Sequence, residues 1–155
     1  MKKMYSTVLC MVFLLLFKPT VFPHCEIPCG IYNDEMRFEM IMEHIQTIEK
    51  AINEIQHLSN ETASLNYNQL VRWITNKEQH AEEIQHIISQ YFLTQRIKLN
   101  ERKEPESIKR YMNQLSLCHK ILVLSMKTKQ SLELSNVEGL KKAVVEFKSL
   151  YLDSK

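Results

Sequence analysis

Hydrophobic residues recur along this chain at alternating intervals of four and three positions. In the stretch 41–55 these positions are all isoleucine, and their average period of 3.5 residues predicts an amphipathic helix packed in a bundle. The same spacing returns in three later stretches, with Lys77 as one polar interruption. The predicted inward positions are Ile41, Ile45, Ile48, Ile52, Ile55, Leu70, Ile74, Ala81, Ile84, Ile88, Tyr91, Tyr111, Leu115, Leu122, Met126, Val137, Leu140, Val144, Phe147 and Tyr151.

Short polar links separate these stretches, so the chain is predicted to form four helices. Asn33 or Asp34 can cap the first helix, and Ser135-Asn136-Val137-Glu138 is a capping box that opens the last. Only two glycines occur, which argues against β-rich folds. The fold class is therefore predicted to be all-α, an up-and-down four-helix bundle. The helices are expected over about 33–60, 66–95, 106–131 and from 135 onward.

The first 23 residues are predicted to be a leader peptide. Lys2 and Lys3 precede an apolar run over 8–17, which has signal-peptide length and is short for a membrane span. A membrane anchor is the alternative. Val21 and Pro23 stand where small residues usually precede the cut, so either another protease completes the trimming or the cut lies elsewhere. We expect an exported protein, periplasmic or extracellular, without stable membrane insertion after processing.

Loss of the leader changes both the charge and the cysteine count. Three lysines and no acidic residue leave with it, so the formal charge falls from +2 to −1. This balance does not support nucleic-acid binding. Cys10 also leaves, so Cys25, Cys29 and Cys118 remain, an odd number that cannot all pair within one chain. Cys118 lies in an apolar helical stretch, and we expect it to be a buried, unreactive thiol.

Two Glu-x-x-His pairs have the spacing found in di-iron bundle proteins, namely Glu54 with His57 and Glu83 with His86. Ligands of that kind point into the bundle core. Relative to the isoleucine positions, however, both pairs fall on the outward side of their helices. We therefore interpret them as solvated surface residues.

The segment His24-Cys25-Glu26-Ile27-Pro28-Cys29-Gly30-Ile31-Tyr32 contains the densest coordination chemistry in the sequence. If the chain is cut before His24, a free amine, an imidazole, a backbone amide and two thiolates lie within six residues. Nickel(II) favours square-planar nitrogen and sulfur donors, and these groups could supply such a plane. Spacing alone is equally compatible with a Cys25–Cys29 disulfide in an exported protein.

The pattern His-Cys-x-x-Pro-Cys-Gly-x-Tyr over 24–32 resembles the N-terminal nickel hook of nickel-containing superoxide dismutases. Arg37-Phe38-Glu39, Lys77-Glu78-Gln79 and Tyr91-Phe92 resemble later family segments more loosely. The resemblance implies a four-helix bundle that assembles as a homohexamer and disproportionates superoxide to dioxygen and hydrogen peroxide at a nickel(II)/nickel(III) centre, one nickel per chain.

The resemblance also implies roles for single residues. The nickel ligands would be His24, Cys25 and Cys29, and Tyr32 would be a gate tyrosine near the substrate. Glu39 would orient the axial histidine, and Tyr91 would be the second tyrosine near the site. The family's supporting arginine falls on His80, for which Arg72 is a candidate substitute.

The predicted organisation is a removed leader over 1–23, a nickel hook over 24–32 and a helical bundle over 33–155. A signal peptidase or maturation protease is an implied partner, since the His24 amine becomes a donor only after cleavage. Two other functions remain open on the residues alone. One is a non-catalytic nickel or copper carrier, and the other is a secreted helical interaction module with Cys25 and Cys29 oxidised.

Overall fold

The computed structural model describes residues 33–60, 64–101 and 104–153. The predicted leader and nickel hook, over 1–23 and 24–32, lie outside these residues. The described residues are mostly helical, with short non-helical links, and contain no strand within those three ranges. Its helices are α1 (Asn33–Leu58), α2 (Ser64–His86), α3 (Pro105–Gln130) and α4 (Leu134–Leu152), and a π-helical segment (Ile87–Arg96) continues α2.

The helices form the predicted four-helix bundle. Each helix packs against the one before and the one after it in sequence, and α4 closes the bundle by packing against α1. The short links between helices favour antiparallel neighbours, as in an up-and-down bundle. None of the helices in the described part of the chain is long and apolar enough to cross a membrane.

The five isoleucines of α1 are buried as predicted, and so are all five predicted positions of α4. Around Phe38, which has no exposed surface, aromatic rings pack with centroids 4.8–5.9 Å apart in tilted and edge-on pairs. Such pairs stabilise a core beyond their buried area. The rings in contact with Phe38 belong to Phe92, Phe147 and Tyr151. This cluster joins α1, the π-helical segment and α4.

Two predicted core positions are wrong in α2 and α3, because Ile74 and Met126 are exposed at 37% and 41%. Near Ile74, the inward position of α2 is occupied by the preceding residue, Trp73. Trp73 is half-buried there and stacks beneath the Lys50 ammonium of α1, with 5.7 Å between Nζ and the ring centroid.

The buried face of α3 includes two polar residues that the apolar spacing does not predict. Its inward residues include Ser125 and Thr128, which are fully buried. Their hydroxyls donate to the carbonyls of Ile121 and Ser125, at 2.9 and 2.8 Å, within the same helix. A buried hydroxyl that is hydrogen-bonded costs little, so Ser125 and Thr128 can lie in the core, while Leu122 is partly buried against it and Met126 is exposed. Leu117, Cys118 and Ile121 complete the buried face.

The predicted capping box at 135–138 is also not formed as predicted. Helix α4 begins at Leu134, so Ser135 is its second residue and not its cap, and Glu133 at the cap position makes no side-chain capping bond. The Ser131 hydroxyl instead accepts hydrogen bonds from the Asn136 side chain at 2.9 Å and from the Glu133 N–H at 3.5 Å.

The two Glu-x-x-His pairs lie away from the core, as interpreted from the sequence. His57, Glu83 and His86 are exposed and Glu54 is half-buried.

Candidate functional site

The chain enters the bundle at Asn33, which directly follows Tyr32 in sequence. Asn33 has a φ of 69°, in the left-handed region that asparagine tolerates better than most residues. Its side-chain oxygen accepts a hydrogen bond from the Asp34 N–H at 2.8 Å. The backbone therefore changes direction where the predicted hook ends and α1 begins.

Asp34, the next residue, is a buried carboxylate with three side-chain donors. Its side chain has no exposed surface. Oδ1 accepts the Tyr91 hydroxyl, and Oδ2 accepts the Tyr151 hydroxyl at 2.6 Å. Oδ2 also accepts Arg96 Nη2 at 2.8 Å and Arg96 Nε at 3.2 Å. A buried carboxylate persists only when it is paired and hydrogen-bonded, and this one meets both conditions.

The π-helical segment explains how Tyr91 and Arg96 reach the same carboxylate. In an α-helix, residues five apart lie about 140° apart around the axis. A π-helix bonds i to i+5 and brings such residues onto one face. The Ile97 N–H donates to the Phe92 carbonyl at 2.8 Å in this pattern, and the Thr94 hydroxyl donates to the Ser89 carbonyl at 2.7 Å.

Two guanidinium groups flank the Tyr91 ring. The Arg37 carbon Cζ lies 4.7 Å from the ring centroid, and that of Arg96 lies 5.8 Å from it. Burial and then the hydrogen bond to Asp34 raise the pKa of Tyr91 to about 12, although both arginines oppose the rise. The same two causes raise the pKa of Tyr151 to about 12. Both phenols therefore keep their protons at neutral pH.

Of the predicted site residues, the structure brings Tyr91 to the start of α1 but leaves Glu39 on another face. Glu39 is exposed, and it lies two residues, or about 200° around the axis, beyond Arg37, which covers Tyr91. The predicted ligands His24, Cys25 and Cys29 and the gate Tyr32 lie outside the described residues.

His80, on α2, forms a hydrogen bond with His44 on α1. Nδ1 of His80 lies 2.7 Å from Nδ1 of His44, so one imidazole donates and the other accepts. Burial first, and then His80, lower the pKa of His44, while Glu83 and Glu43 act in the opposite direction. Arg72, the candidate substitute for the family arginine, lies apart from His80. It lies eight residues before His80 on α2, about 12 Å along the axis and farther from Glu39, because α1 and α2 are antiparallel.

Sequence reasoning missed the part played by Asp34, Arg96 and Tyr151. Asp34 was considered only as a helix cap, and Tyr151 only as a core residue. The available signal was an acidic residue placed directly after the hook, within the first turn of a helix whose dipole favours a negative charge there. No sequence pattern indicates the role of Arg96, because its approach to Asp34 depends on the π-helical pitch.

Within the described residues there is no group of three or more histidine, cysteine, aspartate or glutamate side chains that could hold a metal ion. Comparison with known families gives one match, in which the model of nickel-containing superoxide dismutase covers residues 19–155. That range includes the whole of 24–32 together with all four helices. No curated protein and no solved structure matches the chain significantly.

Proposed function

Because the chain belongs to the nickel-containing superoxide dismutase family, we propose that its processed N-terminus forms the nickel centre, with one nickel ion per chain. The protein is a nickel-dependent oxidoreductase that converts superoxide to dioxygen and hydrogen peroxide. The observation that carries the proposal is the extent of the family match, which spans the segment 24–32 as well as the bundle.

The donors present in 24–32 suit nickel. Cleavage before His24 frees its amine, which joins the amide nitrogen of Cys25 and the thiolates of Cys25 and Cys29 as nitrogen and sulfur donors. The His24 imidazole supplies a further nitrogen. Pro28 restricts the turn between the two cysteines, because its ring fixes φ. An uncut chain has an amide in place of the amine and lacks one of these donors.

Bound nickel supplies a one-electron couple, so that two superoxide ions and two protons give one dioxygen and one hydrogen peroxide. The residues of the chain then orient the substrate and manage protons. We assign Tyr32 to the gate beside the substrate and Glu39 to the orientation of the His24 imidazole. Tyr91 is the second tyrosine near the site. Its hydroxyl donates to Asp34, which follows Tyr32 by two residues in the sequence, and this contact supports that assignment.

The leader over 1–23 directs export to the periplasm or the outside of the cell, and a signal peptidase or maturation protease removes it. The family match begins at residue 19, so the whole apolar run over 8–17 lies outside the matched region. The mature domain organisation is then the hook over 24–32 followed by the bundle. The mature chains assemble as a homohexamer, which sedimentation of the native protein would measure as six times the chain mass.

The decisive experiment is mass spectrometry of the N-terminus of protein purified from its native host, combined with nickel analysis and a superoxide-loss assay. We expect a mature chain that begins at His24, carries one nickel and is active. The matched control is a chain with one alanine placed before His24, which retains every side chain but displaces the free amine. It should lose activity.

Other outcomes would contradict the proposal. A native chain that begins elsewhere and is active excludes the amine of His24 as a ligand. Nickel binding without superoxide loss would identify a carrier. A preparation without nickel and without free thiols at Cys25 and Cys29 would identify a disulfide-containing interaction module.

A further inference from the structure

We propose that Asp34 is a positioning residue for the dismutase reaction, because its buried carboxylate holds both the phenol of Tyr91 and the start of α1 in place. The inference rests on the proposed nickel centre at 24–32. It concerns a residue with no assigned role and is argued from the contacts of three helical elements at one carboxylate.

The carboxylate joins parts of the chain that are far apart in sequence. Asp34 is at the start of α1, Tyr91 and Arg96 are in the π-helical segment, and Tyr151 is at the end of α4. Tyr91 and Tyr151 are only 2% and 5% exposed. The negative charge is matched by the Arg96 guanidinium, so the arrangement is costly to disturb, since loss of one partner leaves a buried group unsatisfied.

The bond to Asp34 determines what Tyr91 can do toward a substrate. A phenol has one O–H to donate, and Tyr91 donates it to Asp34 Oδ1. Toward any other neighbour its oxygen can only accept a hydrogen bond. Tyr91 is therefore suited to fix a water or the protonated product, and a proton for superoxide reduction must come from another group.

The covalent chain limits the distance between Tyr32 and Asp34. Two residues of chain span at most about 7 Å, so Tyr32 remains within that distance of Asp34, measured between Cα atoms. Asp34 therefore joins Tyr91, through its hydrogen bond, to the position two residues after Tyr32 in the sequence.

The test is Asp34→Asn in the processed, nickel-loaded protein. The amide has nearly the same shape, but it carries no charge and cannot accept on both of its polar atoms. We expect kcat to fall by about 10-fold to 100-fold, as expected for a misplaced group near the reacting atoms, while nickel content stays at the wild-type level. The matched control is Glu82→Gln, which removes an exposed carboxylate that pairs with Lys129 at 2.8 Å. It should be as active as wild type.

Two further readouts separate positioning from a merely structural role. Ultraviolet titration should show the phenols of Tyr91 and Tyr151 ionising at lower pH in Asp34→Asn, since the carboxylate that helps to raise both pKa values is lost. Asp34→Asn combined with Tyr91→Phe should be little worse than Tyr91→Phe alone, because both changes remove the same bond. Additive losses of activity would overturn the proposal, as would a fully active, folded Asp34→Asn protein.

If Asp34→Asn does not fold, Tyr91→Phe tests the same bond from the other side and leaves the Tyr151 and Arg96 contacts intact. An unchanged kcat in that variant would overturn the proposal. Failure of the proposed function is distinguishable, because processed wild-type protein loaded with nickel would then be inactive. In that case the tyrosine titration still reports whether Asp34 holds Tyr91.

Discussion

Burial sets the chemistry of several single side chains in this bundle, and Cys118 is the simplest case. Its thiol has no exposed surface, and burial raises its pKa to about 12. The thiolate is the reactive form of cysteine, so Cys118 is an inert packing residue, as the sequence predicts. The cysteines of the predicted hook are expected to behave differently.

That difference predicts the outcome of thiol labelling. In processed, nickel-free protein at pH 8, iodoacetamide should label two thiols rapidly and Cys118 at least about 10³-fold more slowly, because so little of it is thiolate. Peptide mapping identifies the labelled residues, and urea should make all three reactive. Rapid labelling of Cys118 in the folded protein would show that the thiol is accessible. Labelling of none of the three would indicate a Cys25–Cys29 disulfide.

The facing imidazoles of His44 and His80 predict a pH dependence of stability. The folded-state pKa of His44 is below its unfolded value, so the unfolded chain binds more protons in the interval between the two. Stability is therefore expected to fall as pH decreases from about 6.5, the ordinary pKa of histidine, toward the lowered value. A second proton would also place two cations with their nitrogen atoms 2.7 Å apart.

The variant that tests this is His80→Gln, whose amide can still donate to His44. We expect its free energy of unfolding, measured by urea denaturation from pH 7 to pH 5, to decline less steeply than that of wild type. His119→Gln changes an exposed histidine and should leave the slope unchanged. Equal slopes in all three proteins would show that the pair does not contribute.

At the level of helices, hydrophobic periodicity predicts α1 and α4 but does not predict the π-helical segment or all of the buried face of α3. The spacing of isoleucines was sufficient for α1, and that of Val137 to Tyr151 was sufficient for α4, because the buried residues of both helices are hydrophobic apart from Asp34. It was incomplete for α3, where Ser125 and Thr128 are also buried, with their hydroxyls bonded to their own helix. A π-helical pitch produces no recognisable spacing of apolar residues in the sequence, so the contacts of Tyr91 and Arg96 with Asp34 could not be predicted.

Lys77, the polar interruption in the predicted seam of α2, has a specific place between helices. It is 3% exposed, and its ammonium donates to the carbonyls of Thr128 and Lys129, both at 2.6 Å. These carbonyls belong to the last turn of α3, where helical carbonyls lack partners within the helix and the dipole favours a cation. Lys77 therefore caps α3 from the neighbouring helix.

Lys77→Met should lower the free energy of unfolding by about 1.5–3 kcal/mol, the usual cost of losing a hydrogen bond to a charged group. Thermal unfolding should shift down by about 2–4 °C for each kcal/mol. The matched control is Lys129→Met, which removes only a surface ion pair with Glu82 and should cost less than about 1 kcal/mol. Equal losses in the two variants would contradict a capping role.

At the level of the whole molecule, the core and the predicted metal segment occupy separate parts of the chain. The buried cluster is built from the four helices and the π-helical segment. The family match joins this bundle to the segment 24–32. The fold class could be predicted from periodicity and the nickel chemistry from nine residues, whereas the residues that connect the two, above all Asp34, depend on tertiary contacts.

This separation predicts that nickel removal abolishes activity without unfolding the bundle. Small zinc domains unfold without their metal because the metal supplies most of their folding free energy. Here more than twenty buried side chains form a core that needs no metal ligand. Nickel-free processed protein should therefore retain the far-ultraviolet circular dichroism of the loaded protein, and added nickel should restore activity. A collapse of helical signal on chelation would show that the hook and its metal are needed to hold the helices together.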